Sequence, residues 1–326
     1  MITVEPVTIR LGFQIPNFSY GTGVAELFPT VIAQAREAEA AGFDSVFLMD
    51  HFYQLPMLGT PDQPMLEAYT ALGALATATE KVQLGTLVTG NTYRNPTLLT
   101  KAITTLDVVS GGRAILGIGT GWFELEHEQL GFEFGTFTDR FNKLEEALQI
   151  ILPMLRGERP TVHGKHYHVT EAINSPAPVS RIPVMIGGSG EKKTLRMVAQ
   201  YADEANLTCL TPEVPRKLEA LAEHCEKLGR DRSEITVTKL VMMVIGETHE
   251  AAEASAAAFI EHHGWPAEMI ELVRPRMVLG DPDEVGEQIA EMKAAGIDGI
   301  TLNLATSAHQ HETIELAART ALAALS

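Results

Sequence analysis

The chain has 326 residues, of which 45% are hydrophobic and 21% are charged, which is the composition of an ordinary globular protein. Its formal net charge of −17 argues against nucleic acid as the main partner, because binding phosphate requires a basic face. No apolar run approaches the roughly 20 residues that span a bilayer, so no membrane partner is expected. Residues 1–10 lack the pattern of a signal peptide and the chain has only two cysteines, so we expect a cytoplasmic protein.

Apolar runs alternate along the chain with segments of 3.6-residue periodicity. The predicted strands cover residues 9–14, 45–49, 82–88, 114–119, 184–187, 204–207, 235–244 and 299–304. The predicted helices include residues 31–41, 67–76, 97–109, 139–155, 191–201, 213–228 and 285–295. Eight buried strands that alternate with helices predict an α/β fold, a single (β/α)8 TIM barrel that spans residues 1–326.

A short sequence near the start of the chain, residues 40–48, returns in similar form at residues 294–302. In each copy a glycine, Gly42 or Gly296, closes an amphipathic helix, and an apolar strand follows. A helix that leads into a buried strand is half of a βαβ unit, so two copies far apart favour a closed parallel barrel. Such a barrel carries its chemistry at the C-terminal ends of its strands.

The spacing of the predicted elements breaks after the fourth and the seventh strand. Residues 120–181 are too many for one loop, and they include a predicted hairpin around Gly164. Residues 246–281 form a second long stretch before the last predicted helix. We therefore expect insertions after strands 4 and 7 that shape or cover a pocket.

Two glycine-rich segments leave predicted strands. The first, Gly117-Ile118-Gly119-Thr120-Gly121-Trp122, fails the dinucleotide pattern because Trp122 stands where the third glycine belongs, so it is either a ligand contact or a tight turn. The second, Gly187-Gly188-Ser189-Gly190, precedes a predicted helix and the cations Lys192, Lys193 and Arg196. Small residues at a helix N-terminus favour phosphate binding, and a plain helix start is the alternative.

The pair Asp50-His51 directly follows the second predicted strand. A histidine at the C-terminal end of a barrel strand is suited to proton transfer, and a structural histidine is the alternative. Trp122 is predicted at the mouth of the barrel, where it stacks on a ring or fills the core. The spacing of His163, His166 and His168 lacks a complete ligand set, so no metal site is expected.

Taken together, these segments resemble the bacterial luciferase-like monooxygenase superfamily over nearly the whole chain. The branch most similar to the chain contains actinobacterial oxidoreductases that use the deazaflavin coenzyme F420. The residues that carry the resemblance are Gly12-Phe13-Gln14-Ile15-Pro16, Val46-Phe47-Leu48-Met49-Asp50-His51-Phe52, Leu84-Gly85-Thr86-Leu87-Val88, Arg94-Asn95-Pro96, Gly112-Arg113 through Trp122-Phe123-Glu124, and Ile186-Gly187-Gly188-Ser189-Gly190.

The resemblance implies a TIM barrel whose cofactor ring lies over the C-terminal mouth. It implies a non-prolyl cis peptide bond between Leu87 and Val88 that supports the ring, and His51 as the catalytic residue. The residues that it implies for cofactor binding are Asp50, His51, Thr86, Leu87, Val88, Thr120, Gly121, Gly187, Gly188, Ser189 and Gly190.

The chain departs from the alcohol-oxidising members of this family. Those enzymes combine the histidine with a tryptophan, where this chain has Leu55, and with a glutamate, where it has Trp122. The resemblance therefore implies a coenzyme F420-dependent oxidoreductase that transfers hydride to or from a small organic substrate, with reduction favoured over alcohol oxidation.

Three alternatives remain at this point. The first is an FMN-dependent monooxygenase that uses reduced flavin and O₂. The second is a barrel hydrolase or aldolase without a redox cofactor, which needs a buried lysine or a carboxylate pair at the mouth; Lys239 is expected to be solvated. The third is a non-catalytic cofactor carrier. We further expect a homodimer and, for FMN or reduced F420, a separate reductase that renews the cofactor.

Overall fold

The computed structural model describes residues 11–306 and 310–326. Its strands are β1 (Leu11–Ile15), β2 (Ser45–Leu48), β3 (Gln83–Thr86), β4 (Thr89–Gly90), β5 (Ala114–Gly119), β6 (Val162–His163), β7 (His168–Val169), β8 (Val184–Gly187), β9 (Glu204–Leu207), β10 (Thr236–Ile245), β11 (Met277–Gly280) and β12 (Gly299–Asn303). Its helices are α1 (Val24–Ala41), α2 (Ala68–Ala78), α3 (Pro96–Ser110), α4 (Glu124–Leu130), α5 (Phe137–Leu155), α6 (Thr194–Tyr201), α7 (Val214–Leu228), α8 (His249–His262), α9 (Ala267–Val273), α10 (Pro282–Ala294) and α11 (His311–Leu325).

Eight parallel strands close into a barrel. Their order around the ring is β1, β2, β3, β5, β8, β9, β10 and β12, and β12 pairs with β1 to complete it. The predicted TIM barrel is thus confirmed. Of the predicted first strand, Ile9 and Arg10 lie outside the described residues, as does the predicted absence of a signal pattern in residues 1–10.

The barrel has an inner and an outer apolar layer because side chains alternate along each strand. Phe47, Ile115 and Met185 form a small cluster of their own, together with Leu87. Their neighbours along the strands, such as Val46 and Leu116, belong to the large cluster that also contains the helices' apolar faces. This double burial explains why the strands read as nearly continuous apolar runs.

The repeated sequence has a structural role beyond the glycine cap. Gly42 and Gly296 adopt φ angles of 96° and 102°, as a left-handed helix end requires. The aspartate two residues later, Asp44 or Asp298, accepts a hydrogen bond from a backbone N–H of a neighbouring chain segment: Leu11 N at 3.1 Å and Val237 N at 2.7 Å. Each copy therefore ends a helix and fastens the next strand.

The prediction and the structure differ mainly in three places. The third strand does not run through residues 82–88: β3 ends at Thr86, and β4 resumes at Thr89. The helix predicted to start at residue 191 begins at Thr194, because residues 191–193 form a turn. The stretch before the last predicted helix contains β11, which was not predicted, because a strand of four residues is too short to show a period of its own.

Long connections follow the fourth and the seventh barrel strand. Between β5 and β8 lie α4, α5 and the hairpin β6–β7, whose Gly164 N–H donates to the Tyr167 carbonyl at 3.0 Å. Between β10 and α10 lie α8, α9 and β11. In the described part of the chain, no helix has the length and apolar character that crossing a membrane requires.

Candidate active site

A cavity of about 1170 Å³ opens at the C-terminal ends of the barrel strands. It is larger than the roughly 300–1,000 Å³ of most small-molecule pockets, so it has room for a ring cofactor together with a substrate. Of the predicted site residues, those that line it are Asp50, His51, Leu87, Val88, Thr120, Gly121, Gly187, Gly188 and Gly190. Trp122 also lines it and is 55% exposed, so this tryptophan is not a core residue.

Two predicted site residues, Thr86 and Ser189, are not on the cavity wall. Thr86 is fully buried, and its hydroxyl lies 2.6 Å from that of Thr89 and 3.1 Å from the Gly117 carbonyl oxygen. The Ser189 hydroxyl oxygen accepts a hydrogen bond from Thr208 N at 2.9 Å. Both side chains are turned toward protein partners, so they support the wall rather than form it.

His51 is paired with a buried carboxylate that sequence reasoning missed. Its Nδ1 lies 3.0 Å from Oε2 of Glu126 on α4, and the Glu126 side chain is completely buried. A carboxylate can only accept, so Nδ1 carries the hydrogen, and in the neutral ring Nε2 is the acceptor. The arrangement fixes the tautomer that a general base needs.

Glu126 has three further donors. Phe52 N and Tyr53 N donate to Oε1 at 2.5 and 2.9 Å, and the Tyr93 hydroxyl donates to Oε2. Burial opposes ionisation of this carboxyl, but the hydrogen bonds and the nearby His51 lower its pKa below the ordinary value. Burial and the same carboxylate raise the pKa of Tyr93, so its hydroxyl stays protonated as a donor.

Glu126 could have been found from helix geometry. The sequence pattern places the family's glutamate at position 122, directly after Gly121. Position 126 lies one helical turn further on, and α4 begins at Glu124. The carboxylate therefore reaches His51 from within a helix rather than from the glycine turn.

The Asp50 carboxylate is held by Arg94. Arg94 Nη2 and Nε lie 2.5 and 3.1 Å from the two Asp50 oxygens, and Gly90 N donates to Asp50 Oδ2 at 3.2 Å. A second pair joins Arg94 to Glu67 at 2.7 Å. The charge of Asp50 on the cavity wall is thus neutralised by Arg94. Its carboxylate also holds the end of β4 and the segment that follows.

The Leu87–Val88 peptide bond is cis, as the resemblance implies. Gln14 Nε2 donates to the Leu87 carbonyl at 3.0 Å, and Asn303 Nδ2 donates to Gln14 Oε1 at 3.0 Å. Because the carbonyl only accepts, this order of donors fixes both amide orientations. The Val88 side chain lies against the backbone of Gly119 and Gly187, where a Cβ would approach it to 3.0 Å.

The glycine-rich loop after β8 is shaped by its backbone. Gly188 has a φ angle of 117°, which disfavours any side chain, and its N–H donates to the Asn206 carbonyl at 2.9 Å. That N–H is therefore not available to a phosphate, although the loop lines the cavity. Arg196 pairs with Glu145 at 2.8 Å and does not line the cavity, whereas Lys192 and Lys193 do.

Lys239 was expected to be solvated, and this is wrong. It is only 4% exposed and lines the cavity, although it is the fourth residue of β10. Burial lowers its pKa.

Within the described residues, no group of three His, Cys, Asp or Glu side chains could hold a metal ion.

The model of the luciferase-like monooxygenases matches residues 9–299 of this sequence. The chain belongs to the luciferase-like monooxygenase family. An F420-dependent glucose-6-phosphate dehydrogenase of Microbacterium testaceum is 33% identical over 250 residues, 76% of this chain and 71% of that protein. The sequence resemblance is thus confirmed.

Solved structures of this fold cover nearly the whole chain. An F420-dependent secondary alcohol dehydrogenase in complex with an F420-acetone adduct superposes with a TM-score of 0.82 at 18% identity, over 98% of this chain and 99% of that one. A long-chain alkane monooxygenase gives a TM-score of 0.78 at 15% identity, over 96% and 91%. At these identities the likeness shows the barrel fold alone.

Proposed function

We propose that the protein is a coenzyme F420-dependent oxidoreductase that transfers hydride between the deazaflavin and a small organic substrate. The observation that carries it is His51, held by a buried carboxylate at a strand end and open to the cavity. Similarity to an F420-dependent dehydrogenase at 33% identity supports the choice of cofactor. When bound, F420 supplies the hydride chemistry, and the protein supplies orientation and proton transfer.

The residues of this chain fit such a group. Val88 and the glycine backbones beside it, Gly119 and Gly187, form a part of the cavity wall against which the face of a ring would lie. The backbone of residues 187–190, with Lys192 and Lys193 close by, offers small residues and positive charge for an anionic tail. His51 Nε2 then exchanges a proton with the substrate while Glu126 compensates the charge on the imidazole.

The structure bears on the direction of transfer. Reduction was favoured because Trp122 replaces the glutamate of the alcohol-oxidising relatives. Glu126 supplies a carboxylate to His51 from one turn further on, so the missing glutamate no longer argues against alcohol oxidation. Leu55, which replaces their tryptophan and lines the cavity, still favours reduction.

A second candidate is an FMN-dependent monooxygenase, which the family's description favours. The barrel hydrolase or aldolase needs a buried lysine, and Lys239 meets that condition; the family match favours the redox function over it.

Homodimer formation and a separate reductase stay part of the proposal. A cytoplasmic location is supported by Cys209 and Cys225, which are both buried and unpaired.

A titration of the purified protein with oxidised F420 and oxidised FMN tests the cofactor. We expect a Kd for F420 at least about tenfold lower, which corresponds to about 1.4 kcal/mol. Equal or stronger FMN binding would favour the monooxygenase instead. Binding of F420 without turnover of any carbonyl, unsaturated or alcohol substrate would favour the carrier.

A further inference from the structure

The side of the cavity next to His51 is bounded by a hydrophobic cluster that is separate from the barrel core. The cluster joins the end of β2 and the segment after it, through Met49 and Leu55, to residues of the insertion after β10, such as Trp265. Its members that line the cavity are Met49, Leu55, Met57 and Leu58 on the β2 side, and Met242 and Val273 from β10 and α9. We call the first four of these residues the apolar wall.

The apolar wall is held in place by the segment that follows β2. Leu58 N and Gly59 N both donate to the Leu55 carbonyl, at 2.8 and 3.0 Å, so the chain turns here. The Gln54 side chain is buried; its Nε2 donates to the Pro16 carbonyl at 3.2 Å, and its Oε1 accepts from Leu55 N at 2.8 Å. The wall is therefore fixed by the fold, so binding a ligand costs little ordering of this segment.

Two polar side chains that share this part of the cavity with His51 already have partners. Asp50 is paired with Arg94, and the Tyr93 hydroxyl donates to Glu126. His51 Nε2, by contrast, has no hydrogen bond to any described group. Burying a hydroxyl without a hydrogen-bond partner is costly, so a polyol would bind poorly against the apolar wall. The wall therefore favours a ligand that has one polar group at His51 and an apolar remainder.

The cations that line the cavity belong to other parts of the barrel. Lys192 and Lys193 follow β8, Lys239 is in β10, and Arg276 directly precedes β11. Around the ring, two strands separate β2 from β8 in one direction and from β10 in the other. The side of the cavity that follows β2 is therefore left to apolar contacts.

Trp122 offers a large apolar surface beside His51 that the protein itself does not cover. Its side chain lines the cavity and is 55% exposed. Its ring centroid lies 5.7 Å from that of His51 in an edge-to-face arrangement, and 5.4 Å from that of Phe123, a member of the same hydrophobic cluster. An aromatic side chain buries about 150–250 Å² when it is covered, so an apolar ligand at His51 gains contact area from this indole.

We propose that the substrate carries one polar reacting group on an apolar body, and that the apolar wall and Trp122 bind this body beside His51. This inference rests on the proposed function, because it places the reacting group at His51 Nε2. Carbonyl and unsaturated compounds with an aliphatic or aromatic remainder have this chemistry, whereas sugars and other polyols do not. The site then selects a substrate by the apolar surface that the substrate buries.

The test is calorimetric titration of the protein, saturated with oxidised F420, with the methyl ketones 2-butanone, 2-hexanone and 2-octanone. The oxidised cofactor has no hydride to give, so the titration reports binding alone. We expect the Kd to fall about fourfold for each added CH₂ group. Sorbitol, which has as many carbon atoms as 2-hexanone, should bind at least about tenfold more weakly than that ketone. A Kd that does not change along the ketone series, or sorbitol that binds as well as 2-hexanone, would overturn the proposal.

A matched pair of variants locates the binding surface. Met57 and Met269 are both half-buried members of the same hydrophobic cluster, but only Met57 lines the cavity. Met57→Gln should weaken binding of 2-octanone about tenfold, and Met269→Gln should change it less than about twofold. Melting temperatures establish that both variants are folded. Equal affinities in the two variants would show that the apolar wall does not bind the ketone.

Trp122→Ala is a further variant, and the exposure of this side chain makes the substitution safe for the fold. It should weaken binding of 2-octanone at least about fivefold, and an unchanged affinity would remove Trp122 from the site. If F420 does not bind, the proposed function fails by that measurement. The ketone series and the two methionine variants, titrated without cofactor, then still decide whether the wall binds an apolar ligand.

Discussion

Two buried glutamates in this barrel differ in their hydrogen-bond donors and in the direction of their pKa shifts. Glu126, at the cavity, accepts hydrogen bonds from His51, Tyr93 and two backbone N–H groups, and its pKa is lowered. Glu204, the first residue of β9, has a buried Oε2 with no hydrogen-bond partner. Burial, together with the charge of Asp203, raises the pKa of Glu204 to about 8.

The comparison shows that donors, rather than depth, decide whether a buried carboxyl ionises. Glu126 is built as a permanent anion for the histidine beside it. Glu204 lies at the opposite end of a strand from the cavity, where a charge serves no partner. Removing each carboxylate should therefore have opposite consequences.

The largest effect on kcat is expected at His51, which is hydrogen-bonded to Glu126. His51→Ala removes the group that we propose exchanges the proton, so kcat should fall about 10³-fold while the Kd for F420 changes less than about threefold. The measurement is kcat and cofactor Kd in the same variant. His249→Ala, an exposed histidine that also pairs with a glutamate, is the control and should leave both unchanged. An intact kcat with a raised Kd would make His51 a binding residue only.

Glu204→Gln should stabilise the protein. The pKa of this carboxyl rises from 4.5 in the unfolded chain to about 8 in the fold, so the folded state holds the proton more tightly. Stability of the wild type is therefore lost as pH rises from about 4.5 to about 8, at about 1.4 kcal/mol per pH unit, and Gln removes that loss. We expect a gain of about 3 kcal/mol at pH 7 and none near pH 4, measured by urea unfolding. Equal pH dependence in both proteins would show that Glu204 finds a partner in solution.

Glu126→Gln, unlike Glu204→Gln, should damage the protein, because it lowers kcat. The amide keeps the shape but loses the charge, so the tautomer of His51 is no longer fixed and kcat should fall about 100-fold. Nitrogen NMR of the labelled imidazole checks the cause directly: the wild type should show the hydrogen on Nδ1, and the variant a mixture of both tautomers. A variant with reduced kcat and an unchanged tautomer would assign Glu126 a purely structural role.

Tyr93→Phe should have the smallest effect. It removes one of four donors to Glu126, so we expect a loss of about 1 kcal/mol in unfolding free energy and a decrease in kcat of about threefold. Tyr201→Phe is matched to it, because the Tyr201 hydroxyl also donates to a glutamate, Glu145, outside the cavity. That control should lose stability without losing kcat. If the two variants behave alike, Tyr93 does not act through His51.

The barrel was predictable because its strands and helices carry strong local patterns. Three strands, β5, β8 and β9, match their predicted bounds, since apolar runs end at glycine or polar residues there. The break at residues 87–88 was expected from the family resemblance, but periodicity alone missed it. Strand β11 could not be predicted, because four residues that pair only with the end of β10 leave no distinct sequence period.

The site was predictable where it depends on position along a strand, and not where it depends on side-chain direction. His51 and the glycine turns follow from strand ends. Thr86 and Ser189 were placed on the wall, yet their hydroxyls turn to protein partners at 2.6 and 2.9 Å. The burial of Lys239 was missed because its position near the start of a predicted strand suggested a solvated side chain, whereas the folded chain encloses it.

Strand β10 pairs with two different strands along one edge, first with β9 and then with β11. The pairing of Thr236–Lys239 with β9 belongs to the closed ring, whereas the pairing of Met242–Ile245 with β11 lies outside it. Exchanging the segment from 246 to 281 for its counterpart from a relative would therefore change one side of the cavity and leave the proposed site on β2 and α4 in place. Such an exchange separates what the cavity accepts on one side from the pair of His51 and Glu126 on the other.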